Sequence, residues 1–437
     1  MKILLLIHLA IFTAAISLSS YGQIMTVDGS TVHISNGAIV ISNGGVDIRN
    51  NSLFTNDGSF DITKNSIYPQ AGSIMLTSSS TLNGNGSYYV EQDWINDAAF
   101  SADNSIVQLY GNTQQLITST NGTNTTFNKL TLSGTGNGND RKKSLVNCDA
   151  YISINGVLAI NNRELETQTN NMTVLNPSQS AVSNATTFGS EGFVSSLVPG
   201  YLYRATNSTS SYVFPIGSSD GTLRYRPITI SPTASMSQEF SARLNNYDAS
   251  NDGFDRTQHD GSLFDANANY YHSIEQNAGS SNASIQFFYI PNQDGEWLSS
   301  ANWKNSAFQW QNMDDALVGS AVDFSTIVKN DWNFGGKNYP YILATLEDGL
   351  SIPNVFTPNS DGINDKLIID GKNISEFNMT IVNRWGNSVF ETSDINAVWD
   401  GTSNNELCSE GVYFYIVNAT ATTKKQYKKE GFITLKY

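Results

Sequence analysis

The stretch TVHISNGAIVISNGGVDIRNN, residues 31–51, decides the fold of the first half of the chain. Three short runs in it alternate apolar with polar residues, and their apolar members are Val32 and Ile34, Ile39 and Ile41, and Val46 and Ile48. A period of two is the pattern of a β-strand with one buried face. Asn and Gly separate the runs, and both tolerate the left-handed backbone of a tight turn. The stretch therefore predicts short strands joined by tight turns, with the apolar residues facing a core.

The same theme continues to about residue 195, for example in YISINGVLAINN at 151–162, where Ile152 and Ile154 alternate. The spacing between runs is irregular, so the chain is not a strict sequence repeat. Short strands and tight corners favour a β-solenoid, a parallel β-helix of stacked coils, over residues 23–195. A string of antiparallel sandwiches is the alternative that the sequence leaves open.

Composition places the chain among secreted all-β proteins. Charged residues make up 14% and aromatic residues 11% of the 437 residues, whereas a disordered chain is poor in aromatics. The net charge of −15 disfavours binding to phosphate backbones, so no nucleic-acid partner is expected.

Residues 1–22 have the pattern of a signal peptide. Lys2 precedes an apolar run, and the small residues Ser20 and Gly22 precede a predicted cut before Gln23. A secreted, extracellular or surface-attached mature protein is therefore expected.

Residues 196–350 differ in composition, with more proline and more aromatic residues, and their strand–turn alternation predicts a β-sandwich region. Trp297, Trp303 and Trp310 fall within it. Flat indole rings can stack on the apolar faces of sugars, which would make these residues a glycan-stacking platform. Large aromatic residues are more often buried, which would make them part of the core instead.

Four motifs mark residues 351–437: VFTPNSDGIND at 355–365, NRWG at 383–386, VWDG at 398–401 and GVY at 411–413. Polar turn-forming blocks alternate with short aromatic-rich runs of period two. This pattern predicts a small, Ig-like β-sandwich.

In this order, the motifs closely resemble those of the gliding-motility-associated C-terminal domain, the type B sorting signal of type IX secretion in Bacteroidota. The resemblance implies that the type IX secretion machinery at the outer membrane is a partner. One departure is Ser360, where the family usually has glycine. The matching signature residues are Asn359, Asp361, Gly362, Asn364, Asp365, Asn383, Arg384, Trp385, Gly386, Trp399, Asp400, Gly401, Gly411 and Tyr413.

Within the first motif, Asn359, Asp361 and Asp365 lie at odd positions and resemble a short calcium loop. An Asx turn needs the same residue types. Calcium is thus the one cofactor that the sequence suggests, and the structural interpretation stays open beside it.

No Ser, His and Asp set stands out in the sequence. The sequence therefore predicts a non-enzymatic exported surface protein with an adhesive or structural role. The alternative is a secreted glycan-binding or glycan-degrading β-helix protein, with extracellular glycans or surfaces as partners. Its candidate acidic and basic face comprises Asp47, Arg49, Asp57, Asp61 and Lys64.

Overall fold

The computed structural model describes residues 24–65, 71–77, 79–314, 317–335 and 339–437. The predicted signal peptide lies outside these residues. The fold is all-β, with 53% strand and 4% helix. No helix in the described part of the chain is long and apolar enough to cross a membrane. The short helices are Gly138–Arg141, Gln179–Ala181, Ala249–Asp252 and Pro291–Asp294.

Two compact units divide the chain. Unit 1 comprises the described residues of 1–253, 268–294 and 318–342, and unit 2 comprises those of 254–267, 295–317 and 343–437.

Short strands fill the first part of unit 1. They are β1 (Met25–Asp28), β2 (Thr31–Ile34), β3 (Ile39–Asn43), β4 (Val46–Arg49), β5 (Leu53–Asn56), β6 (Ser59–Thr63), β7 (Ile74–Leu76), β8 (Thr81–Asn83), β9 (Ser87–Val90), β10 (Trp94–Asn96), β11 (Ala99–Phe100), β12 (Ile106–Leu109), β13 (Gln115–Thr118), β14 (Thr125–Leu132), β15 (Lys142–Val146), β16 (Ala150–Asn161), β17 (Glu164–Gln168), β18 (Met172–Val174), β19 (Val182–Asn184), β20 (Phe193–Ser196) and β21 (Leu202–Thr206).

These strands form three sheets whose neighbours are separated in sequence by the strands of the other two sheets. One sheet has the order β1-β4-β7-β10-β13-β15-β17-β20, and another has the order β2-β5-β8-β11. The third begins β3-β6-β9-β12-β14-β16-β18-β21. Pairing within each of these series is parallel. The predicted boundary at residue 195 falls within β20, and parallel pairing extends to β21.

Side chains at paired positions stack into buried columns. Val46 pairs with Ile74, Ile74 with Trp94, Trp94 with Ile117, and Ile117 with Leu145. None of the five side chains is more than 1% exposed. Partners in this column are 20 to 28 positions apart in sequence, so the core is built from long-range contacts.

A glycine turn shows how closely successive backbones approach. Gly84 has a φ of +113°, and a Cβ added there would lie 2.2 Å from the carbonyl oxygen of Asn56, one paired strand earlier. No other residue fits that space and that backbone conformation. The Asn- and Gly-rich turns are therefore part of the packing as well as of the chain reversal.

The predicted burial of Ile39 and Ile41 is wrong, since their side chains are 75% and 58% exposed. β3 is the first strand of its sheet, and it turns Ser42 inward instead, opposite Ile62 of β6. Ile154 is exposed as well. It lies where the pairing of β16 with β14 is interrupted by a register shift, whereas Ile152 before the shift is buried.

The later strands are β22 (Tyr212–Phe214), β23 (Gly217–Ser218), β24 (Arg224–Tyr225), β25 (Ile228–Pro232), β26 (Gln238–Asn245), β27 (Leu263–Ala266), β28 (Tyr271–Ala278), β29 (Ala283–Tyr289), β30 (Ser299–Lys304), β31 (Gln309–Asn312), β32 (Leu317–Ala321), β33 (Phe324–Trp332) and β34 (Tyr339–Leu346). In unit 1, antiparallel β26 and β28 extend the sheet that ends in β21. A five-stranded sheet has the order β22-β25-β29-β33-β32. In unit 2, β30 and β31 form a hairpin.

A buried ion pair ties two loops of unit 1 together. Arg226 donates to both carboxylate oxygens of Asp294, at 2.6 and 2.9 Å, and both side chains are almost wholly buried. This bidentate hydrogen bonding offsets the desolvation free energy of burying both charges.

Unit 2 ends in nine strands: β35 (Gly349–Ser351), β36 (Val355–Phe356), β37 (Asp370–Lys372), β38 (Ile374–Val382), β39 (Ser388–Thr392), β40 (Thr402–Ser403), β41 (Glu406–Leu407), β42 (Gly411–Ala421) and β43 (Gln426–Leu435). Five of them form the sheet β36-β43-β42-β38-β39, and β35–β37 and β40–β41 form two small ladders. Phe377, Met379 and Ile381 alternate inward from β38 into a core shared with Trp399 and Ile433.

Candidate functional site

The C-terminal sheet positions the signature motifs in the turns that leave it. The loop at residues 359–365 is organised by its own side chains. Asp365 accepts hydrogen bonds from the backbone N–H groups of Ser360 and Gly362, at 2.6 and 2.8 Å. Asn359 and Asp361 each accept one from the residue two positions later, at 3.1 and 2.8 Å. The bonds to Asn359 and Asp361 are Asx turns, and all four bonds hold the loop with oxygens that a cation would otherwise use.

Among the described residues, no group of three or more His, Cys, Asp or Glu side chains is placed to hold a metal ion. The suggested calcium ligands Asn359, Asp361 and Asp365 do lie close together, because they form one loop. A calcium ion there would have to compete with four backbone N–H groups for the same oxygens.

The second motif forms the turn of the β38–β39 hairpin. Asn383 accepts the backbone N–H groups of both Trp385 and Asn387 at 3.0 Å through its side-chain oxygen. Gly386 takes a φ of +83° and donates its N–H to the carbonyl of Asn383 at 2.9 Å. The turn presents Trp385 to solvent, with 74% of its side chain exposed. The Arg384 guanidinium lies 5.0 Å from the centre of its ring.

The third motif is structural. Trp399 is buried and packs against Phe356 and Tyr413, with ring centroids 5.1 Å apart in both pairs. Its Nε1–H donates to the carbonyl of Thr402 at 2.9 Å. Asp400 caps the turn by accepting from the backbone and hydroxyl of Thr402, at 3.0 and 2.7 Å.

The residues around Gly401 and Gly411 are held by hydrogen bonds to backbone carbonyls. The N–H of Cys408 donates to the carbonyl of Gly401 at 2.9 Å. Tyr413, two residues after Gly411, donates its hydroxyl to the carbonyl of Ser409 at 2.8 Å. Burial raises the pKa of Tyr413 to about 12, so this hydroxyl remains a donor at physiological pH.

The outward face of the sheet is apolar over half of its length. Val412, Phe414 and Ile416 of β42 and Phe432 of β43 are 46% to 53% exposed, and Phe414 and Phe432 are paired across the two strands. We call these four residues the apolar face. Phe414 also pairs with Val382, the last residue before the Asn383 turn. The apolar face therefore lies next to the turn that carries Trp385.

The three tryptophans predicted as a glycan platform are interior residues of unit 2. Trp297, Trp303 and Trp310 are 7%, 4% and 0% exposed. The rings of Trp303 and Trp310 pack edge to face with centroids 5.5 Å apart, and Trp310 also donates to the carbonyl of Phe254 at 3.3 Å. Buried rings of this kind offer no open face to a sugar.

The acidic and basic residues of the face suggested for a glycan-degrading protein serve local contacts. Arg49 bridges Asp28 and Asp47, at 3.2 and 3.3 Å. Asp57 pairs with His33 at 3.0 Å, and Asp61 accepts the hydroxyl of Tyr110 at 3.0 Å. These contacts involve separate partners rather than one convergent group.

The arrangement at the C-terminus defines a compact β-module whose signature residues hold turns and whose sheet exposes an apolar face. Residues 350–435 match the family model of the CHU_C type IX secretion signal domain. The chain thus carries a type IX sorting domain, consistent with type B of Bacteroidota. The match supports export by type IX secretion, secretion or surface attachment, and interaction with the secretion machinery. No curated protein matches the chain.

Proposed function

We propose that this is a non-enzymatic protein that is exported by type IX secretion and acts at or beyond the cell surface in adhesion or as a structural component. The observation that carries the proposal is the match of residues 350–435 to the sorting-domain family. A core around Trp399 with the signature turns at the surface of the domain also supports the proposal.

We also propose that residues 24–206 form a parallel β-solenoid, with the antiparallel strands that follow arranged as a sandwich. The support is the pairing of strands across the three parallel series and the buried columns between them. A solenoid suits an extended surface protein because each coil contacts only its neighbours, so length adds surface without a larger core.

The apolar face is the part of the sorting domain that we expect the secretion machinery to bind. Large side chains such as Phe414 and Phe432 are seldom grouped in solvent without a partner. The face adjoins the Asn383 turn, so one partner surface could contact both features. Because the matched family is a secretion signal, the outer-membrane machinery is the partner that fits.

The full chain should be expressed in a Bacteroidota host with an intact type IX system and in one that lacks it. Export of the intact chain, and retention of a chain that ends at residue 347, would support the proposal. Equal export in both hosts would contradict it. Replacing Phe414 and Phe432 by serine tests the face, with Asn418→Ser on the same strand as the control. The double variant should fold with an unchanged melting temperature yet lose most of its export.

A glycan-binding role is the second candidate function. A polar cleft in unit 1 favours it, and the residues of that cleft are not those suggested by the sequence.

A further inference from the structure

A cleft of about 240 Å³ opens on the outward face of the sheet formed by β15, β17 and β20. Successive outward residues of β17 face into it because side chains on a strand alternate. Its lining residues are Asn139, Lys142, Glu164, Glu166, Gln168, Ser195, Ser196, Leu197, Ser218, Ser219 and Asp220.

Glu164 is the residue of this cleft that most clearly indicates a ligand. Its side chain is 1% exposed, and one carboxylate oxygen, Oε1, accepts the hydroxyl of Ser195 at 2.6 Å. The other oxygen, Oε2, is buried and has no hydrogen-bond partner. A buried carboxylate oxygen without a donor is costly, so most such atoms in proteins are satisfied. This atom calls for a donor from outside the chain.

A second unsatisfied atom belongs to a residue that lines the same cleft, and this atom can donate a hydrogen bond. The hydroxyl oxygen of Ser219 is buried and also lacks a partner. A serine hydroxyl can donate as well as accept. A ligand that both donates to Glu164 and accepts from Ser219 would satisfy the two atoms together, and a hydroxyl group does both.

Two of the other charged groups of the cleft, Lys142 and Glu166, are paired with each other. Lys142 donates to Glu166 at 2.7 Å, and the hydroxyl of Ser144 donates to the second oxygen of Glu166 at 2.7 Å. Burial opposes the charge on Lys142, but the hydrogen bond from Lys142 to Glu166 and the nearby carboxylates raise its pKa. Both carboxylate oxygens of Glu166 are thus hydrogen-bonded, whereas Glu164 keeps one buried oxygen that a ligand could satisfy.

The charge of the lining selects against anions. Three carboxylates, on Glu164, Glu166 and Asp220, face one ammonium, on Lys142. Leu197 adds an apolar wall with a half-exposed side chain that can change rotamer to admit a ligand. Hydroxyl groups on one side and a C–H surface on the other are the two features of a neutral sugar ring.

We propose that this cleft binds a neutral saccharide unit, whose hydroxyls donate to Oε2 of Glu164 and accept from Oγ of Ser219. The saccharide would be the ligand of the proposed adhesive role, so this inference rests on that role. Saccharide binding itself does not depend on the export route. Glu164 and Ser219 are binding residues in this proposal, and no reaction is assigned to them.

The test uses residues 23–437 and isothermal titration calorimetry with neutral gluco-, manno-, xylo- and galacto-oligosaccharides of four to six units. At least one should bind. Glu164→Gln should weaken binding roughly tenfold or more, the loss expected for one charge-assisted hydrogen bond, and Ser219→Ala should weaken it by a smaller factor. Glu239→Gln, a half-buried strand glutamate outside the lining, is the matched control and should bind normally. Ser219→Ala should have little effect on the core. If Glu164→Gln does not fold, the binding measured for Ser219→Ala therefore still tests the proposal.

Several results would overturn the proposal: no binding to any neutral oligosaccharide, binding that both variants leave unchanged, or stronger binding of uronate or glucosamine oligomers. Release of new reducing ends would leave the saccharide site in place but would contradict the non-enzymatic function. Equal export in hosts with and without the type IX system, with saccharide binding retained, would contradict the export proposal alone.

Discussion

The parallel strands of unit 1 and the C-terminal sheet of unit 2 both bury one face of each strand. They differ in how neighbouring strands are connected along the chain. In unit 1, partners such as Met25 and Val46 keep a constant sequence separation along the strand pair, and the chain travels through other strands before it returns. In the C-terminal sheet, β42 and β43 are joined by a tight turn at residues 421–425, where the N–H of Ala421 donates to the carbonyl of Lys425 at 2.8 Å. Local turns thus set the register of the second region, and parallel pairing between strands that are distant in sequence sets that of the first.

This difference also governs where polar groups are buried. Unit 1 places Lys143, Glu164 and Arg204 almost wholly out of solvent. The C-terminal domain has an apolar core and uses its carboxylates in turns. We therefore expect the C-terminal domain to depend on a few large side chains, and unit 1 to respond to pH.

The largest effect is expected for Trp399→Ala. The ring is buried against Phe356 and Tyr413, so its removal leaves a cavity and an unpaired carbonyl at Thr402. We expect the local free energy of unfolding to fall by about 3–5 kcal/mol. Hydrogen exchange over residues 343–437 would measure it. Trp385→Ala is the matched control, since that exposed ring should contribute within about 0.5 kcal/mol. Similar losses for the two variants would contradict the assigned core.

Lys143 provides the next test, in unit 1. Its Nζ donates to the carbonyl of Gly111 at 2.8 Å and to the side chain of Gln115. Burial lowers the pKa of Lys143 to about 7, with Arg163 lowering it further and Asp93 opposing. An unfolded lysine has a pKa of about 10.4, so the unfolded chain binds more protons between roughly pH 7 and 10. The stability of unit 1 should therefore rise with pH in that window, and the penalty should be complete below about pH 7.

The expected rise is at most about 2 kcal/mol between roughly pH 7 and 9. Denaturant unfolding of the full chain, monitored by hydrogen exchange in residues 111–163, would measure this rise in the free energy of unfolding. Lys143→Met should flatten this pH dependence, whereas Lys129→Met, at a half-buried lysine of β14, should leave it in place. A slope that persists in Lys143→Met would assign it to another group.

These tests also separate what the sequence could predict from what it could not. The Asn383 turn and the loop at residues 359–365 are held by hydrogen bonds over two to five positions, so their residue types alone reveal them. Alternation predicted strands throughout, but it does not reveal which face of β3 is buried, since that depends on pairing with β6 about 20 positions later in the chain. The cleft around Glu164 takes one wall from Ser219, 55 positions away, and no local pattern marks that meeting. The interior position of Trp310 likewise depends on the distant Phe254.

A smaller effect is expected at Asp348, which anchors the β42–β43 turn. Its carboxylate accepts from Thr423 at 2.6 Å, from the hydroxyl of Tyr427 and from Lys425 at 2.9 Å. Hydrogen bonds from Thr423, Tyr427 and Lys425 lower the pKa of Asp348 to about 2. The stabilisation is therefore complete above about pH 4, the value for an unfolded aspartate, and is lost as the pH falls through about 2.

Asp348→Asn should lower the stability of the C-terminal domain by about 1 kcal/mol at neutral pH, because the hydrogen bonds lose their charged acceptor. The difference from the unmodified chain should disappear near pH 2. Asp370→Asn, at an exposed carboxylate of β37, is the control and should match the unmodified chain throughout. A difference that stays constant with pH would show that the carboxylate charge is not the cause.

The smallest effect is expected for Ile41→Thr in β3. Alternation alone makes Ile41 a core residue, yet its side chain points to solvent while Ser42 on the same strand faces inward opposite Ile62. Threonine keeps the β-branched shape that favours a strand, so the unfolding free energy should change by less than about 0.5 kcal/mol. Ile62→Thr, which places a hydroxyl at a fully buried position of β6, should cost about 2 kcal/mol or more. Equal costs at the two positions would mean that β3 turns its isoleucines inward, and the register between β3 and β6 would then have to shift by one residue.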